Sequence, residues 1–350
     1  MKVLIIRFSS IGDIVLTTPV VRCVKQQTGA EVHFLTKRRF VATLAANPYV
    51  DRLWTIDKSI SEIAPALLDE GFDHVLDLHR NLRTTELRLR LTAYSARHLY
   101  FDYARQPRPR PRWHAFAKLN AEKYLLVNFG LDRLPDTHIV DRYLATARDL
   151  GVTNDGAGLD YFIPPGEAID PVREQLPANF IAFVIGAAHP TKCLTESQMT
   201  ALCAALPHPV YLVGGPAENA QGERVAAGFE HVVNTCGRYS LGGSADLIRR
   251  ATVVVTHDTG MMHIAAAFRK PIISIWGNTV PEFGMYPYLP GNEDIEKTRR
   301  QEVRGLSCRP CSKIGHRKCP KGHFRCIRDQ EPSAIARRAA AIFSLKTTGG

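Results

Sequence analysis

The stretch Thr252-Val253-Val254-Val255-Thr256-His257-Asp258-Thr259-Gly260-Met261-Met262-His263 decides how this chain is read. A β-branched run of that length predicts a buried parallel strand. Asp258 and Thr259 are good helix N-cap residues, and residues 261–268 read as the helix that follows. Asp258, Thr259 and Gly260 therefore fall on a strand-to-helix turn. Free N–H groups and the positive end of the helix dipole make such a turn a seat for phosphate. Gly260 lets a ligand approach the backbone closely. The tripeptide serves equally as a helix cap with no ligand. Apolar-apolar-Asp-Thr-Gly is also the aspartic-protease signature, but a monomeric protease needs two such loops in an all-β chain. This chain has one, inside a βα pattern.

Working outward, residues 2–8 read as a buried strand, Ser9-Ser10-Ile11-Gly12-Asp13 as a turn, and 14–27 as a helix containing Pro19. Strands at 31–36, 52–56 and 73–78 follow, with a further one at 97–101 and a helix over 140–150. Ile163-Pro164-Pro165-Gly166 is a linker signal. A second βα series then runs through strands at 180–185, 210–213, 231–234, 252–256 and 271–276. Helices are expected at 195–206, 241–250 and, Ala-rich, at 331–345. Alternating strands and helices mean α/β sheets. Residues 1–165 and 166–330 read as two Rossmann-like domains facing each other across a cleft, with 331–350 as a C-terminal helix and tail. Ligands in such sheets bind beyond the carboxyl ends of the strands.

At 350 residues the chain is long enough for two cores. No apolar stretch approaches the roughly 20 residues that span a bilayer. Met1 to Arg7 is too short and too charged for a signal peptide, so a cytoplasmic protein is expected. Its eight cysteines then read as thiols or metal ligands. The net charge of +11 is concentrated: 11 basic against 3 acidic residues in 80–123, and 11 against 1 in 297–328. Such stretches fit nucleic acid, phosphorylated sugars or an anionic membrane face, or simply a solvated surface.

Asp13 follows Gly12 just past the first strand, where a carboxylate can take a proton from a substrate hydroxyl or cap the next helix. Ser9, Ser10 and Gly12 make a small phosphate-tolerant loop. No Gly-x-Gly-x-x-Gly and no Walker A sequence occurs, so a dinucleotide enzyme or P-loop ATPase has no support. Gly186-Ala187-Ala188-His189-Pro190-Thr191-Lys192 follows a strand. Lys192 is there a point charge for a diphosphate or an exposed loop lysine. Glu218, after Gly214-Gly215-Pro216, is placed for ribose hydroxyls. Tyr239 and its neighbours precede a helix and would wall an adenine.

Together these segments resemble glycosyltransferase family 9, the ADP-heptose:lipopolysaccharide heptosyltransferases. The likeness lies in residues 2–13, in Asn47-Pro48-Tyr49-Val50-Asp51, in the turn at 258–263 and in Gly277-Asn278-Thr279-Val280-Pro281. The resemblance implies a GT-B fold, an N-terminal acceptor domain and a C-terminal nucleotide-sugar domain. It implies inversion at the anomeric carbon from an ADP-heptose donor, with no cofactor and no catalytic metal. By position Asp13 would be the general base. Lys192 and the amides around Thr259 and Gly260 would stabilise departing ADP, assisted by Gly12, Thr191, Glu218, Tyr239, Asp258 and His263. Ala187-Ala188 stand where members often place hydroxyl residues, and Leu194-Thr195 replaces the usual Trp-Pro.

Ser10, His79, Arg80, Asn81 and Arg83 would meet the acceptor. The Pro-rich segment carrying Arg108, Arg110 and Arg112 would do so as a loop. Arg forks suit the phosphates of a lipid A–core glycolipid. The protein would then lie on the cytoplasmic face of the inner membrane. Cys308, Cys311, Cys319 and Cys326, with His316 and His323 nearby, fit a structural zinc site or reduced thiols. Two rivals are a GT-B nucleotide-sugar epimerase and a basic nucleic-acid-binding protein. The basic acceptor surface argues against the first. The lack of aromatics among the arginines, and of any recognition helix or finger, argues against nucleic acid as a partner.

Overall fold

The structure, a computed structural model, describes residues 1–101 and 110–348, with the side chains of 94–101 and 348 outside that description. Two parallel sheets carry the chain. The first is built from β1 (Lys2–Ile6), β2 (Glu31–Lys37), β3 (Arg52–Ile56), β4 (His74–Asp77) and β5 (Arg112–Ala115), in the order β3-β2-β1-β4-β5. The second is built from β6 (Ile181–Val184), β7 (Val210–Val213), β8 (Val232–Asn234), β9 (Val253–His257), β10 (Ile272–Trp276) and β11 (Arg300–Glu302), in the order β11-β10-β9-β6-β7-β8. Counted from the first strand of each unit, the first follows the doubly wound order 3-2-1-4-5 and the second 3-2-1-4-5-6. This bears out the expected α/β architecture of two Rossmann-like halves.

The order follows from the sequence. Val3 to Ile6 and Val253 to His257 are buried throughout, because a central parallel strand is covered on both faces. In the first unit Leu4 and Ile6 pack with Leu35, Trp54, Ile56, Leu67, Val75 and Leu87. In the second, Phe183, Val255 and Ile275 pack with Met199, Leu202, Ile335, Ala339 and Phe343.

Several expectations are corrected. The compact units are Met1–Lys118 with Ile139–Ala157, and Leu119–His138 with Gly158–Gly350. The division thus falls at 157/158 rather than 165, and the chain visits the second unit once before leaving the first. The helix Pro332–Thr348 is not a separate tail, since Ile335, Ala339 and Phe343 complete the second core. Residues 97–101 end the helix Leu82–Phe101 instead of forming a strand. The helix expected over 14–27 is two, Ile11–Val15 and Thr18–Thr28, with Pro19 in the first turn of the second. Pro there lacks an N–H that would have no partner anyway.

Residues 139–157 are tied to the first unit by polar contacts. Arg22, from the helix Thr18–Thr28, grips Asp155 through both oxygens at 2.7 and 2.9 Å. Gln27 exchanges two hydrogen bonds with the backbone of Thr153. Residues 119–138 close on the second unit, where His138 Nε2 donates to the Tyr286 carbonyl at 2.9 Å.

The Arg22 hydrogen bonds hold the Asp155 carboxyl down at about 2. Deleting one partner of a buried ion pair costs about 3–5 kcal/mol. Asp155 is a quarter exposed, so Asp155→Asn should cost about 2 kcal/mol at pH 7. The folded value lies below the unfolded one, so the contribution is complete above about pH 4 and is lost as pH falls through about 2. Urea unfolding at pH 7 and pH 3 checks this. An unchanged midpoint at pH 7 would refute the pair's role.

Candidate active site

In an open parallel sheet the loops after strands one and four leave on opposite faces, and a crevice opens between them. Here those loops follow β1 and β4 in the first unit, and β6 and β9 in the second.

After β1, Arg7 organises the loop. Its guanidinium donates to the Leu78 carbonyl at 2.6 Å and the Ser9 carbonyl at 2.8 Å, and pairs with Asp13 Oδ1 at 2.5 Å. It thereby ties the end of β1 to the end of β4. Burial opposes its charge, but Asp13, Tyr143 and Asp77 outweigh that and hold Arg7 above its ordinary value. The other Asp13 oxygen accepts from the Ser10 N–H at 3.0 Å and the Ser10 hydroxyl at 2.9 Å. Asp13 thus caps its helix and is at the same time an oriented carboxylate with its side chain one-fifth exposed. Gly12 is buried beside it.

After β4, buried Asp77 folds the next turn by accepting from the His79 and Arg80 N–H groups at 3.0 and 2.6 Å. Arg80 Nη1 donates to the Phe116 carbonyl at 3.2 Å. Asn81 exchanges hydrogen bonds with Thr84 at the helix start. Arg83 Nε donates to the Lys58 carbonyl at 3.0 Å. Lys58, Asn81, Arg83 and Glu86 line an open pocket of about 460 Å³. Burial, then Arg7 and Lys118, push His79 down to about 3.

Arg110 and Arg112 are not with this group. Arg112 opens β5 opposite His74, while Ala115 pairs with Asp77. Three steps of about 3.3 Å set Arg112 at the amino end of the sheet, away from Asp13 and His79. A strand with no apolar run follows the Pro-rich segment, which the hydrophobic pattern did not signal. Arg108 lies outside the described residues.

In the second unit Lys192 Nζ meets Asp258 Oδ2 at 2.6 Å, both side chains being 13% exposed. Thr279 Oγ1 donates to the same oxygen at 2.8 Å. The loops after β6, β9 and β10 therefore converge on one carboxylate. Lys192 has three donors and spends one here. Thr259 caps the helix Gly260–Ala267, its hydroxyl accepting from the Met261 N–H at 3.4 Å. The buried His257 Nε2 accepts from the Leu194 N–H at 3.0 Å, fixing the Lys192 loop against β9, and burial pushes His257 down to about 4. His263 is 2% exposed within its helix.

The other expected donor residues are placed differently. One Glu218 oxygen accepts from the Gly215 N–H at 2.8 Å. The Glu218 side chain fills the space over Gly186, where a Cβ would come within 2.9 Å of it. The Tyr239 hydroxyl donates to Glu174 at 2.7 Å, and burial pushes it up to about 12. The Thr191 hydroxyl is spent within the chain. It donates to the His316 carbonyl at 2.9 Å and accepts from the His316 N–H at 2.8 Å.

Arg309 was not singled out from the sequence. Seven per cent exposed, it donates to the Gly277 and Thr279 carbonyls at 2.7 and 3.0 Å and pairs with Glu302 at 2.7 Å. Gly277 in turn presses on Thr191, where a Cβ would lie 2.5 Å from the carbonyl oxygen. The cysteine-bearing segment thus braces both loops that meet at Asp258. Cys308 Sγ lies 3.7 Å from His323 Nε2, and burial pushes Cys326 up to about 11. Cys308, Cys311, Cys319 and Cys326 lie within electrostatic reach of one another, and among the described residues the set of three potential ligand atoms all within 4.8 Å is Glu31, His33 and Glu70. His33 Nδ1 accepts from Trp54, leaving Nε2–H to donate to Glu31. Glu70 is paired with Lys2 and Arg52. That set is therefore already neutralised from within the chain.

Among the described residues no helix is long and apolar enough to cross a membrane. The sequence model of glycosyltransferase family 9 (heptosyltransferase) matches residues 109–314. The chain belongs to that family and is a glycosyltransferase. Lipopolysaccharide heptosyltransferase 1 of Escherichia coli K12 is 25% identical over 334 residues, covering 88% of this chain and 97% of that one. Lipooligosaccharide heptosyltransferase 2 of Haemophilus influenzae is 37% identical over 81 residues, which span 22% of this chain and 23% of that relative. The solved ADP-heptose lps heptosyltransferase II of E. coli superposes with a TM-score of 0.68 at 19% identity, over 99% of this chain and all of that one. The fold is the GT-B class that the sequence resemblance implied.

His79 and His257 should stay neutral well below the usual histidine range. Their ring signals in NMR should not move between pH 8 and pH 5.5. Because both folded values are depressed, the stability these neutral rings support declines once pH drops below about 6.5, where the unfolded chain protonates. A midpoint near 6.5 at either ring would contradict its burial.

Proposed function

We propose that this glycosyltransferase transfers heptose from ADP-heptose to the lipopolysaccharide inner core in a single inverting displacement. The observation that carries the reading is the convergence of Lys192, Asp258 and Thr279 at the β6/β9 switch point, beside the start of the helix Gly260–Ala267. The oriented Asp13 at the β1/β4 switch point is its counterpart for the acceptor.

In this reading an acceptor hydroxyl gives its proton to Asp13 as its oxygen bonds to the anomeric carbon. The bond from that carbon to the diphosphate breaks, and ADP leaves carrying the electron pair. Attack opposite the leaving group inverts the configuration. Negative charge grows on the diphosphate, where Lys192 and the first amides of the Gly260–Ala267 helix stand ready as donors. Preorganised donors of this kind lower a barrier without reorganising during the reaction. Asp258 and Thr279 hold Lys192 at its station. Glu218, with one oxygen on Gly215, offers the other to ribose. Lys58, Asn81 and Arg83, with Arg80 beside them, receive phosphate or carboxylate groups of an anionic lipid A–core acceptor. The work is done at the cytoplasmic face of the inner membrane. The relatives' names, for heptose transfer to lipopolysaccharide and for ADP-heptose, support donor and acceptor.

Two variants test this. Asp13→Asn keeps the shape and removes the base, and should slow turnover by about 10²–10⁴ with ADP affinity unchanged. Turnover at the wild-type rate would end the base assignment. Lys192→Ala should weaken ADP binding by about tenfold or more while leaving adenosine binding nearly as it was. Calorimetry showing equal losses for both ligands would mean that Lys192 does not touch the diphosphate.

A further inference from the structure

The amino end of the second sheet, one strand length from Lys192 and Asp258, holds a pocket of about 330 Å³. It opens where the chain enters β6, β9 and β10, beside the end of the helix Pro332–Thr348. Asn179, Arg250, Thr252, Arg269, Lys270 and Lys346 line it, and no carboxylate does among the described residues. Arg249 stands beside it, because Lys270 Nζ donates to the Arg249 carbonyl at 2.9 Å.

Among the described residues, the acid paired with the arginines of this corner is Asp246. Asp246, wholly buried, pairs with Arg249 at 2.6 Å and Arg250 at 2.9 Å, and also accepts from the Ile169 N–H. A single carboxylate thus answers two guanidiniums and leaves Lys270 and Lys346 uncompensated by any acid of the pocket. Burial, then Arg249 and Lys346, lower the Lys270 ammonium below its ordinary value. The polar lining is rich in donors. Asn179 Oδ1 accepts from the Thr252 hydroxyl at 3.1 Å, which leaves its amide nitrogen as a further donor of the lining. Collected cations and amide donors with no acid are the lining that a phosphate group requires, because each oxygen accepts several charge-assisted hydrogen bonds.

We propose that this pocket is a phosphate-binding site, separate from the Lys192–Asp258 site, that takes a phosphate ester or diphosphate group. The shared chemistry is the phosphate, carried by a soluble compound or by an anionic lipid headgroup. At about 8 Å screening length in physiological salt, exposed Lys346 is attenuated and half-buried Lys270 much less. Lys270 is therefore the stronger contact.

The test uses the full-length chain carrying Lys192→Ala, which silences the diphosphate contact proposed for the donor and so keeps that reading apart from this one. Pyrophosphate is titrated calorimetrically into this protein and into versions that add Lys270→Gln or Lys346→Gln. The same proteins are sedimented with phosphatidylcholine vesicles with and without phosphatidylglycerol. Lys270→Gln should weaken binding about tenfold, and the exposed Lys346→Gln, which leaves the core untouched, about threefold. Loss in the pyrophosphate arm identifies a soluble phosphate compound, and loss confined to the phosphatidylglycerol arm identifies a headgroup. The proposal is overturned if the Lys192→Ala protein binds neither probe. It is equally overturned if both lysine variants bind both probes as their parent does.

Discussion

Parallel strand order governs this molecule. In each sheet the first strand of the unit pairs with its second on one side and its fourth on the other. The connections after β1 and β4, and after β6 and β9, must then diverge, and nothing of the sheet fills the space between them. Polar groups placed there are presented rather than packed away. Both groups that carry the proposed chemistry stand at such points: Asp13 after β1, and Lys192 and Asp258 after β6 and β9.

Each site is held by a cation–carboxylate pair with supporting hydroxyls. Arg7 and Ser10 set Asp13, while Lys192 and Thr279 meet on Asp258. A pair of this burial is a poor source of stability, since desolvation offsets much of the attraction. Its effect is orientation. The difference lies in which partner is left for the ligand. Arg7 is enclosed and locked to two carbonyls, so Asp13 is the group presented. In the second unit the lysine keeps donors to spare, and the carboxylate is the fixed partner. The brace extends into the cysteine-bearing segment, where Arg309 and the His316 backbone hold the loops of Thr279 and Thr191.

The elements legible in the sequence were those made of buried apolar runs. Val210 to Val213 and the strand at 253–257 stand out because central parallel strands are apolar on both faces. The first sheet's last strand, Arg112-Trp113-His114-Ala115, and the second's edge strand, Arg300-Gln301-Glu302, carry no such pattern. They are short edge strands recruited by their neighbours. Missing the former placed Arg110 and Arg112 in a loop at the acceptor site, when they stand at the sheet's other end. The return of residues 139–157 to the first unit was also hidden. It rests on Arg22 and Asp155, far apart in sequence. Asp13, Lys192 and Asp258 were legible because strand ends and capping residues mark themselves locally. Arg7 had a readable signal, a charge directly after a buried apolar strand. Arg309 had none, because its partners are backbone carbonyls brought near only by the fold.

The most direct test of the central claim is the structure of the protein crystallised with ADP. The account predicts the diphosphate at the carboxyl ends of β6 and β9, with an oxygen about 3 Å from Lys192 Nζ and another facing the amides at the start of the Gly260–Ala267 helix. A diphosphate bound after β1, or with Lys192 still closed on Asp258 and no oxygen near it, would contradict the account.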